Sequence, residues 1–315
     1  MLAASVRSGL TETYHHGSVA VCRPDGSVVA RSGDIHQPYF LRSSAKPFQA
    51  LASVQSGAAL APVELALACA SHRGHPVQVA IVESMLAAGG LGEEDLRCPE
   101  DFPLAAPAQR RLLRAGHARP RRIWHNCSGK HAGFLRACVA SGWPIAGYLQ
   151  PDHPLQRRIV NLVSELGRRS VEPVGVDGCG APVLRTTAKA MATLFASLAV
   201  EPALSEIFSV MRRYPALVSG NGEGDSAIAT AIHGAAKGGA QGCIGVALPS
   251  GLGVAVKSWD GSHDVAVVGA VAALEALGAL SDTGVSRLAP VGRPAVHGGG
   301  LAVGSLEPRL DLTFS

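Results

Sequence analysis

The sequence has few aromatic and few charged residues, and it lacks any long hydrophobic segment. Aromatic residues make up 4% of the 315 positions and charged residues 17%, whereas 47% are hydrophobic. This composition excludes an intrinsically disordered chain and predicts a core packed mainly by Leu, Val and Ala. The longest apolar run, residues 265–274, has about half the length needed to cross a bilayer, so no membrane span is expected.

The chain also lacks an obvious targeting signal and a disulfide framework. Its first seven residues do not contain the apolar core of a signal peptide. An odd number of scattered cysteines favours thiols or metal ligands in a reducing compartment over structural disulfides; the seven are Cys22, Cys69, Cys98, Cys127, Cys138, Cys179 and Cys243. We therefore expect a cytoplasmic protein.

Positive charge is only slightly in excess, with a formal net charge of +4. Six arginines lie within residues 110–122, next to Pro120 and without interleaved aromatic residues. Such a segment is more often a solvated loop or helix face than a nucleic-acid site. No nucleic-acid partner is predicted.

The spacing of apolar residues predicts a mixed α+β or α/β protein. A hairpin is expected from residues 18–22 and 28–30, which flank the turn Pro24-Asp25-Gly26. Helices are predicted at 43–54, 62–70, 77–88, 127–141, 154–166, 186–198 and 264–280, and strands at 242–248 and 253–258. No repeat or long linker is visible. Residues 1–315 are therefore predicted to form one domain, with the helical part at about 43–220 and a sheet built from the hairpin and the C-terminal strands.

The segment Arg42-Ser43-Ser44-Ala45-Lys46-Pro47 contains a Ser-x-x-Lys pattern. Positions i and i+3 share one face of a helix, so the Lys46 amine can reach the Ser43 hydroxyl. A neutral lysine can take the proton of a serine and make it a nucleophile. The pattern is also compatible with an N-cap serine followed by a solvated lysine.

Two cysteine-containing motifs follow, Cys127-Ser128-Gly129-Lys130-His131-Ala132-Gly133 and Asp177-Gly178-Cys179-Gly180. Two thiols from separate segments can bind one Zn²⁺, and ordinary zinc chemistry makes His131 the first candidate for a third ligand. The alternative is a pair of buried thiols without a metal.

Two further residues complete the candidates. Ser71 lies in Cys69-Ala70-Ser71-His72, and Lys257 lies on the second predicted C-terminal strand. A lysine on an apolar strand is costly unless its ammonium meets a partner or a cleft. The alternative is an edge-strand lysine that points to water.

Four motifs occur in the order Ser43-x-x-Lys46-Pro47, the Cys127 motif, the Cys179 motif and Gly251-Leu252-Gly253 with Lys257. Together they resemble the Rhizobium etli-type L-asparaginases, class 3 of the asparaginase II family. The resemblance extends from about Arg7 to beyond Gly261. It implies a fold similar to serine β-lactamases and serine-dependent glutaminases, with an antiparallel sheet flanked by helices. It also implies hydrolysis of L-asparagine to L-aspartate and ammonia, and a homodimer.

The resemblance implies Ser43 as the nucleophile and Lys46 as its base. Ser71 and Lys257 match the second Ser–Lys pair of the family, and two close ammonium groups would lower each other's pKa.

The resemblance also implies a zinc site formed by Cys127, Lys130 and Cys179, with Asp177 close to the metal, and it moves His131 to a supporting position. Zinc is expected to orient the substrate rather than to activate water. Arg42 and His72, which flank the two serines, are expected to hold the substrate α-carboxylate, with Asp177 as a further substrate-binding residue.

The sequence departs from the family pattern after His72, where Arg73-Gly74-His75 replaces the expected small residue and acid. Two alternatives remain: a serine-dependent glutaminase or β-lactam-type acyl enzyme, and a catalytically inactive zinc-binding relative. An asparaginase with a threonine nucleophile is disfavoured, because no Thr-Gly-Gly-Thr-like segment opens the chain.

Overall fold

Strands lie towards both ends of the chain, and most helices lie between them. The computed structural model describes all 315 residues apart from the side chain of Pro173. Its strands are β1 (Ala3–Arg7), β2 (Leu10–His15), β3 (Gly17–Cys22), β4 (Val28–Ser32), β5 (Tyr39–Phe40), β6 (Pro173–Val176), β7 (Pro182–Thr186), β8 (Ala235–Gly239), β9 (Cys243–Ala247), β10 (Gly253–Ser258), β11 (Ala295–Gly298), β12 (Leu301–Pro308) and β13 (Thr313–Phe314).

The α-helices are α1 (Lys46–Gln55), α2 (Pro62–Ala68), α3 (Pro76–Ala87), α4 (Ala106–Arg114), α5 (Ser128–Ser141), α6 (Pro154–Leu166), α7 (Ala188–Val200), α8 (Ser205–Arg213), α9 (Pro215–Val218), α10 (Gly224–Ala231), α11 (His263–Ala276) and α12 (Asp282–Gly292). Among the described residues, no single helix has the length and hydropathy of a membrane span. Only Ala188–Val200 and Pro202–Arg213 taken together, bent by 80°, reach both.

The main sheet has six strands in the order β13-β4-β3-β10-β9-β8, and every neighbouring pair is antiparallel. Strands β3, β9 and β10 are buried along their whole length, which explains their runs of small apolar residues. The predicted fold class, an antiparallel sheet flanked by helices, is therefore confirmed. The predicted hairpin β3–β4 is present, and the two strands predicted at 242–248 and 253–258 form as β9 and β10, which pair with each other.

Two smaller sheets were not predicted. One has the order β11-β12-β1-β2 and pairs the first strand of the chain with the C-terminal segment, and the other has the order β5-β7-β6. Strand β2 is almost entirely exposed, so its sequence has no apolar alternation to detect. The tail beyond Pro290, which the sequence left unassigned, supplies β11, β12 and β13.

Helix α7 packs on one face of the main sheet and α11 on the other. Helix α7 approaches so closely that a Cβ atom at Gly253 would lie 1.9 Å from the carbonyl oxygen of Ala192, and one at Gly245 would lie 2.1 Å from the ring of Phe195. The glycines of β9 and β10 therefore set the distance between helix and sheet. Ala- and Gly-rich packing replaces large aromatic contacts here.

The helix predicted at 43–54 forms in two parts. Residues Arg42–Ala45 make a 3₁₀ turn, and α1 then begins at Lys46. In a 3₁₀ turn the side chains at i and i+3 eclipse each other, so Ser43 and Lys46 still leave the backbone on the same side. The predicted contact between the Lys46 amine and the Ser43 hydroxyl is nevertheless not among the hydrogen bonds of Lys46, whose Nζ donates to the Ala70 carbonyl oxygen and the Ser71 hydroxyl.

Replacing Gly253 with alanine tests this close packing. The added methyl group would meet backbone atoms of α7, so we expect Gly253→Ala to lower the free energy of unfolding by about 2 kcal/mol or more. Gly133→Ala in α5 is the matched control, because its Cβ would make only ordinary contact with Ala68, 3.4 Å away. Urea unfolding of both variants provides the comparison, and equal stability of the two would contradict the packing argument.

Candidate active site

A pocket of about 240 Å³ lies where the helical part meets the edge strand β8 of the main sheet. The helical part contributes Ser43 and Ser71, and β8 contributes Lys237. The remaining lining residues are Arg73, Leu104, Asn126, Ser219, Glu223, Asp225, Gly238, Gly239, Ala240 and His263. The pocket is smaller than those that take drug-sized ligands, and nine of its thirteen lining residues have polar or charged side chains.

Ser43 is held at this pocket by a strained backbone. The preceding residue, Arg42, has a φ angle of +48°, in the left-handed region that residues other than glycine rarely adopt. The Arg42 Nε donates a hydrogen bond to Asp177 Oδ1 at 2.7 Å, and this ion pair fixes the arginine. Strain of about 1 kcal/mol or more at such a residue is typical of functional sites.

Lys46 is the buried base candidate, with 1% of its surface exposed. Its Nζ donates to the Ser71 hydroxyl at 2.9 Å and to the Ala70 carbonyl oxygen at 2.7 Å. The pKa of Lys46 is lowered to about 8: burial is the largest cause, the Lys237 and Lys130 ammonium groups add to it, and Cys127 and Cys179 oppose it. A usable fraction of the amine is therefore neutral near pH 7 to 8.

The expected pairing of Ser71 with Lys257 is not formed, because Ser71 is hydrogen-bonded to Lys46. The Lys257 ammonium instead donates to the carbonyl oxygen of Gln241, at 2.6 Å, and to that of Ser258, and it lies over the Trp259 ring, 5.3 Å from its centroid. Lys257 is not among the residues that line the pocket. Its position on β10, two strands away from the edge, explains the difference.

Lys237 on β8 is the second lysine of the pocket, and sequence reasoning missed it. Its side chain is buried, and its Nζ lies 3.5 Å from Asp225 Oδ2 and 2.8 Å from the Gly238 carbonyl oxygen. Burial is the largest single influence and raises the pKa of Asp225, but the Lys237 ammonium, the His263 ring and the Gly238 N–H together outweigh it and hold that pKa well below its usual range. Asp225 is therefore a buried carboxylate, paired with a lysine inside the pocket.

Signals for these residues were present in the sequence but weak. The Gly-rich segment 219–225 interrupts the helical pattern and ends at Asp225. Strand β8 reads Ala-Ala-Lys-Gly-Gly, and alanine and glycine have low strand propensity, so no strand was predicted around Lys237. A lone lysine in such an apolar stretch was the signal that could have found it.

His72, expected to bind the substrate, is fully buried away from the pocket lining. Its Nδ1 accepts from the Gly74 N–H at 3.1 Å, and its Nε2 is 2.8 Å from the Ser128 hydroxyl. Burial, followed by the charge of Lys46, lowers the pKa of His72 to about 3. A neutral and fully hydrogen-bonded imidazole cannot serve as the expected cation for a carboxylate.

Arg42 and Asp177 likewise bind each other rather than line the pocket. Asp177 Oδ1 accepts from Arg42 Nε and, at 2.8 Å, from the N–H of Gly178. The structure therefore gives this pair a role in fixing the backbone before Ser43. The three residues expected to hold the substrate, Arg42, His72 and Asp177, all lie outside the pocket lining.

The predicted zinc ligands do meet, in a buried cluster behind the pocket. Lys130 Nζ lies 3.0 Å from Cys179 Sγ, and the Cys127 thiol lies close enough to Cys179 to influence its pKa. The Cys127 thiol is the largest influence and, together with the Lys130 charge, lowers the pKa of Cys179 far below that of a free thiol despite burial. Burial is the largest single influence and lowers the pKa of Lys130, but Cys179, Cys127 and Asp177 together overcome it and raise that pKa.

This cluster provides donors that suit Zn²⁺, two thiols and one amine. Among the described residues no three His, Cys, Asp or Glu side chains are arranged as metal ligands, so the set depends on Lys130. His131 Nδ1 is bonded to the Tyr148 hydroxyl at 2.7 Å, whereas its Nε2 is buried without a hydrogen-bond partner beside Cys179. The residues fit a zinc ion on condition that Lys130 gives up its proton.

Residues 3–308 match the family model described as L-asparaginase II. The chain belongs to the L-asparaginase II family. The match covers nearly all of it, including every motif that carried the resemblance. No curated protein matches the sequence.

Among solved structures, two forms of Mglu are similar to this L-asparaginase II family member. The native form of Mglu is 17% identical with a TM-score of 0.46, and the match covers 83% of this chain and 64% of the Mglu chain. The tris and glutamate form is 17% identical with a TM-score of 0.48 and a coverage of 89% and 63%. The chain thus spans less than two thirds of the length of these Mglu chains.

Replacing Lys46 with methionine tests the depressed pKa. A buried amine whose pKa falls from 10.5 to about 8 destabilises the folded state below about pH 8, and this effect disappears above about pH 10.5. We therefore expect the stability of Lys46→Met, relative to the parent, to rise by about 3 kcal/mol as the pH is lowered from 10.5 to 7. Urea unfolding across this range measures the difference, and a pH-independent value would contradict the assignment.

Proposed function

We propose that this L-asparaginase II family member is an amidohydrolase of the Rhizobium etli type, which converts L-asparagine to L-aspartate and ammonia through an acyl-enzyme on Ser43. The main support is the buried Lys46 amine, which has a lowered pKa and is hydrogen-bonded to Ser71 in a pocket that Ser43 also lines. A poised amine next to serine hydroxyls is the arrangement required for nucleophilic catalysis.

In the proposed first half-reaction the Ser43 hydroxyl oxygen attacks the side-chain amide carbon of asparagine. The Ser43 proton passes through the Ser71 hydroxyl to Lys46, because the Lys46 amine is hydrogen-bonded to that hydroxyl. Lys46 then returns a proton to the leaving nitrogen, the C–N bond breaks, and ammonia departs. Water hydrolyses the resulting ester in the second half-reaction and frees L-aspartate and Ser43.

The negative charge that develops on the amide oxygen needs fixed donors. Gly238 at the sheet edge donates its N–H to Asp225 at 2.6 Å, so this side of β8 faces the pocket. Ala240, the residue that follows β8, also lines the pocket. We place the oxyanion between the N–H groups of Ala240 and Ser43.

The α-carboxylate of the substrate is met in this proposal by Lys237 and Arg73, the two cations that line the pocket. Arg73 is paired with Glu223 at 3.3 Å, and both are partly exposed. Arg73 is the residue that departs from the family pattern, so the departure falls at the substrate-binding surface.

Zinc, in the proposal, is held by Cys127, Lys130 and Cys179. When bound, the ion supplies a fixed positive charge behind the pocket. The protein residues keep their roles without it: Lys46 moves the protons and Ser43 carries the acyl group. The homodimer and the cytoplasmic location expected from the sequence stay predictions.

Serine variants test the nucleophile. We expect Ser43→Ala to lower ammonia release from L-asparagine about 1000-fold or more, because no hydroxyl remains to form the ester. Ser71→Ala should still form an acyl adduct on Ser43, more slowly, since the path to Lys46 is broken. Ser53→Ala on the same helix is the matched control, because that hydroxyl donates only to the Gln49 carbonyl oxygen.

Ammonia release and intact-protein mass are measured with both asparagine and glutamine. An adduct on Ser71 in Ser43→Ala would contradict the assigned nucleophile. Release from glutamine alone would favour the glutaminase alternative, and no release from either substrate would favour an inactive zinc-binding relative.

A cysteine variant tests the metal site. We expect Cys127→Ser to lose bound zinc, since a hydroxyl is a poor ligand for this ion, while some hydrolytic activity remains. Cys138→Ser, which removes a buried thiol from the same helix outside the cluster, should retain the metal. Metal content by mass spectrometry together with ammonia release decides the point. Full metal content and full activity in Cys127→Ser would refute the site.

A further inference from the structure

A histidine and a buried carboxylate stand together at the wall of the pocket opposite the proton path of Lys46. His263 is the first residue of α11 and lines the same pocket as Ser43 and Ser71. Its Nε2 lies 3.3 Å from Asp225 Oδ1. The His263 side chain is 41% exposed, whereas that of Asp225 is 6% exposed.

The carboxylate is fixed so that one oxygen is left for the histidine. Asp225 Oδ2 accepts from the Gly238 N–H at 2.6 Å and from the Ser219 hydroxyl at 3.0 Å, and it lies 3.5 Å from the Lys237 ammonium. Asp225 Oδ1 is buried and has no hydrogen-bond partner of normal geometry. The His263 ring is the polar group that faces it.

The imidazole of His263 packs against the backbone of the edge strand β8. A Cβ atom at Gly238 would lie 2.4 Å from His263 Cε1 and 2.7 Å from Asp225 Oδ1. Glycine at this position therefore lets the ring lie directly on β8, between the carboxylate and the pocket. With Asp225 ionised, the proton of a neutral imidazole belongs on Nε2, which leaves Nδ1 free to accept one.

Lys46 is poorly placed to activate water. Its Nζ is buried and already bonded to the Ala70 carbonyl oxygen and the Ser71 hydroxyl, so it reaches serine oxygens rather than solvent. His263 has the opposite character, because it is open to solvent and is oriented by a carboxylate. Nucleophile, base and orienting acid in one pocket are the usual components of an acyl-transfer site.

We propose that His263, oriented by Asp225, is the base that activates the hydrolytic water in the second half of the reaction. This inference rests on the proposed acyl-enzyme on Ser43. The water oxygen bonds to the ester carbon while His263 Nδ1 takes a water proton. The bond from that carbon to Ser43 Oγ then breaks, and the proton returns to Ser43 Oγ, which leaves L-aspartate and the free enzyme.

The charges around His263 give the step a pH dependence. The groups that face it are Asp225 from α10, Lys237 from β8 and Asp264 from its own helix. The close contact with the Asp225 carboxylate outweighs burial and raises the pKa of His263. An imidazolium cannot accept a proton, so hydrolysis of the ester slows as the pH falls through this raised pKa.

Quenched-flow kinetics with intact-mass detection separates the two half-reactions of the full-length protein with L-asparagine. We expect His263→Gln to form the acyl-enzyme at a rate within about twofold of the parent but to hydrolyse it about 100-fold more slowly or worse, so that the adduct accumulates. Hydroxylamine, a stronger nucleophile than water, should release the adduct from the variant as the hydroxamate.

Asp225→Asn is the second variant. It removes the carboxylate that raises the pKa of His263, so we expect the acid limb of ester hydrolysis to shift to lower pH. Asp260→Asn is the matched control. Asp260 accepts hydrogen bonds from the Ser258 hydroxyl and the Ser262 N–H and is paired with the His15 ring, and it does not line the pocket. This control should leave the acid limb where it is in the parent.

The outcomes separate this inference from the proposed function. A parent protein that neither releases ammonia nor forms an adduct would refute the function itself. An active parent whose His263→Gln variant turns over normally and accumulates no adduct would refute the role of His263 alone. The role of His263 is supported if the adduct accumulates in His263→Gln and hydroxylamine releases it, and if Asp225→Asn shifts the acid limb of ester hydrolysis to lower pH.

Discussion

Burial of one lysine amine is the constraint on which the site depends. The Lys46 side chain is buried at the start of α1. It donates hydrogen bonds to the Ala70 carbonyl oxygen and to the Ser71 hydroxyl, two residues that follow α2 in the chain. Removing the amine from water lowers its pKa to about 8, which costs about 3 kcal/mol of stability near pH 7. Ala-rich helices pack tightly enough to keep this amine dry. A looser core would admit water and return the lysine to its ordinary pKa.

The pocket is assembled from segments that are far apart in the chain. The helical part supplies Ser43, Lys46 and Ser71, and the edge of the sheet supplies Lys237 through β8. These two halves can meet because glycines on the sheet leave room: a Cβ at Gly239 would lie 2.7 Å from the Leu41 carbonyl oxygen. The close approach of backbone to backbone thus fixes the distance between the strained turn before Ser43 and the edge strand.

The sequence was sufficient for the predictions that depend on local patterns. It was not sufficient where the contact joins residues that lie far apart in the chain. Ser-x-x-Lys, the two cysteine motifs and the long amphipathic helices were recognisable, and the thiol cluster assembles from the three ligands expected. Lys257 was chosen because it lies on a recognisable apolar strand and matches the family's second Ser–Lys pair, whereas Lys237 went unnoticed because β8 has almost no strand propensity. His72 adjoins Ser71, but its ring turns inward to Ser128, which no spacing rule reveals. The single domain stays a prediction.

The origin of the lowered lysine pKa also differs from the sequence-based expectation. Two neighbouring ammonium groups were expected to depress each other, yet Lys237 has its own counter-ion in Asp225, which reduces its repulsion of Lys46. Burial is the largest cause of the shift at Lys46, and the Lys237 charge is a smaller one. Burial thus removes one lysine amine from water, while the other lies beside the Asp225 carboxylate. In the proposed mechanism these different surroundings suit different roles, proton transfer for Lys46 and binding of a substrate carboxylate for Lys237.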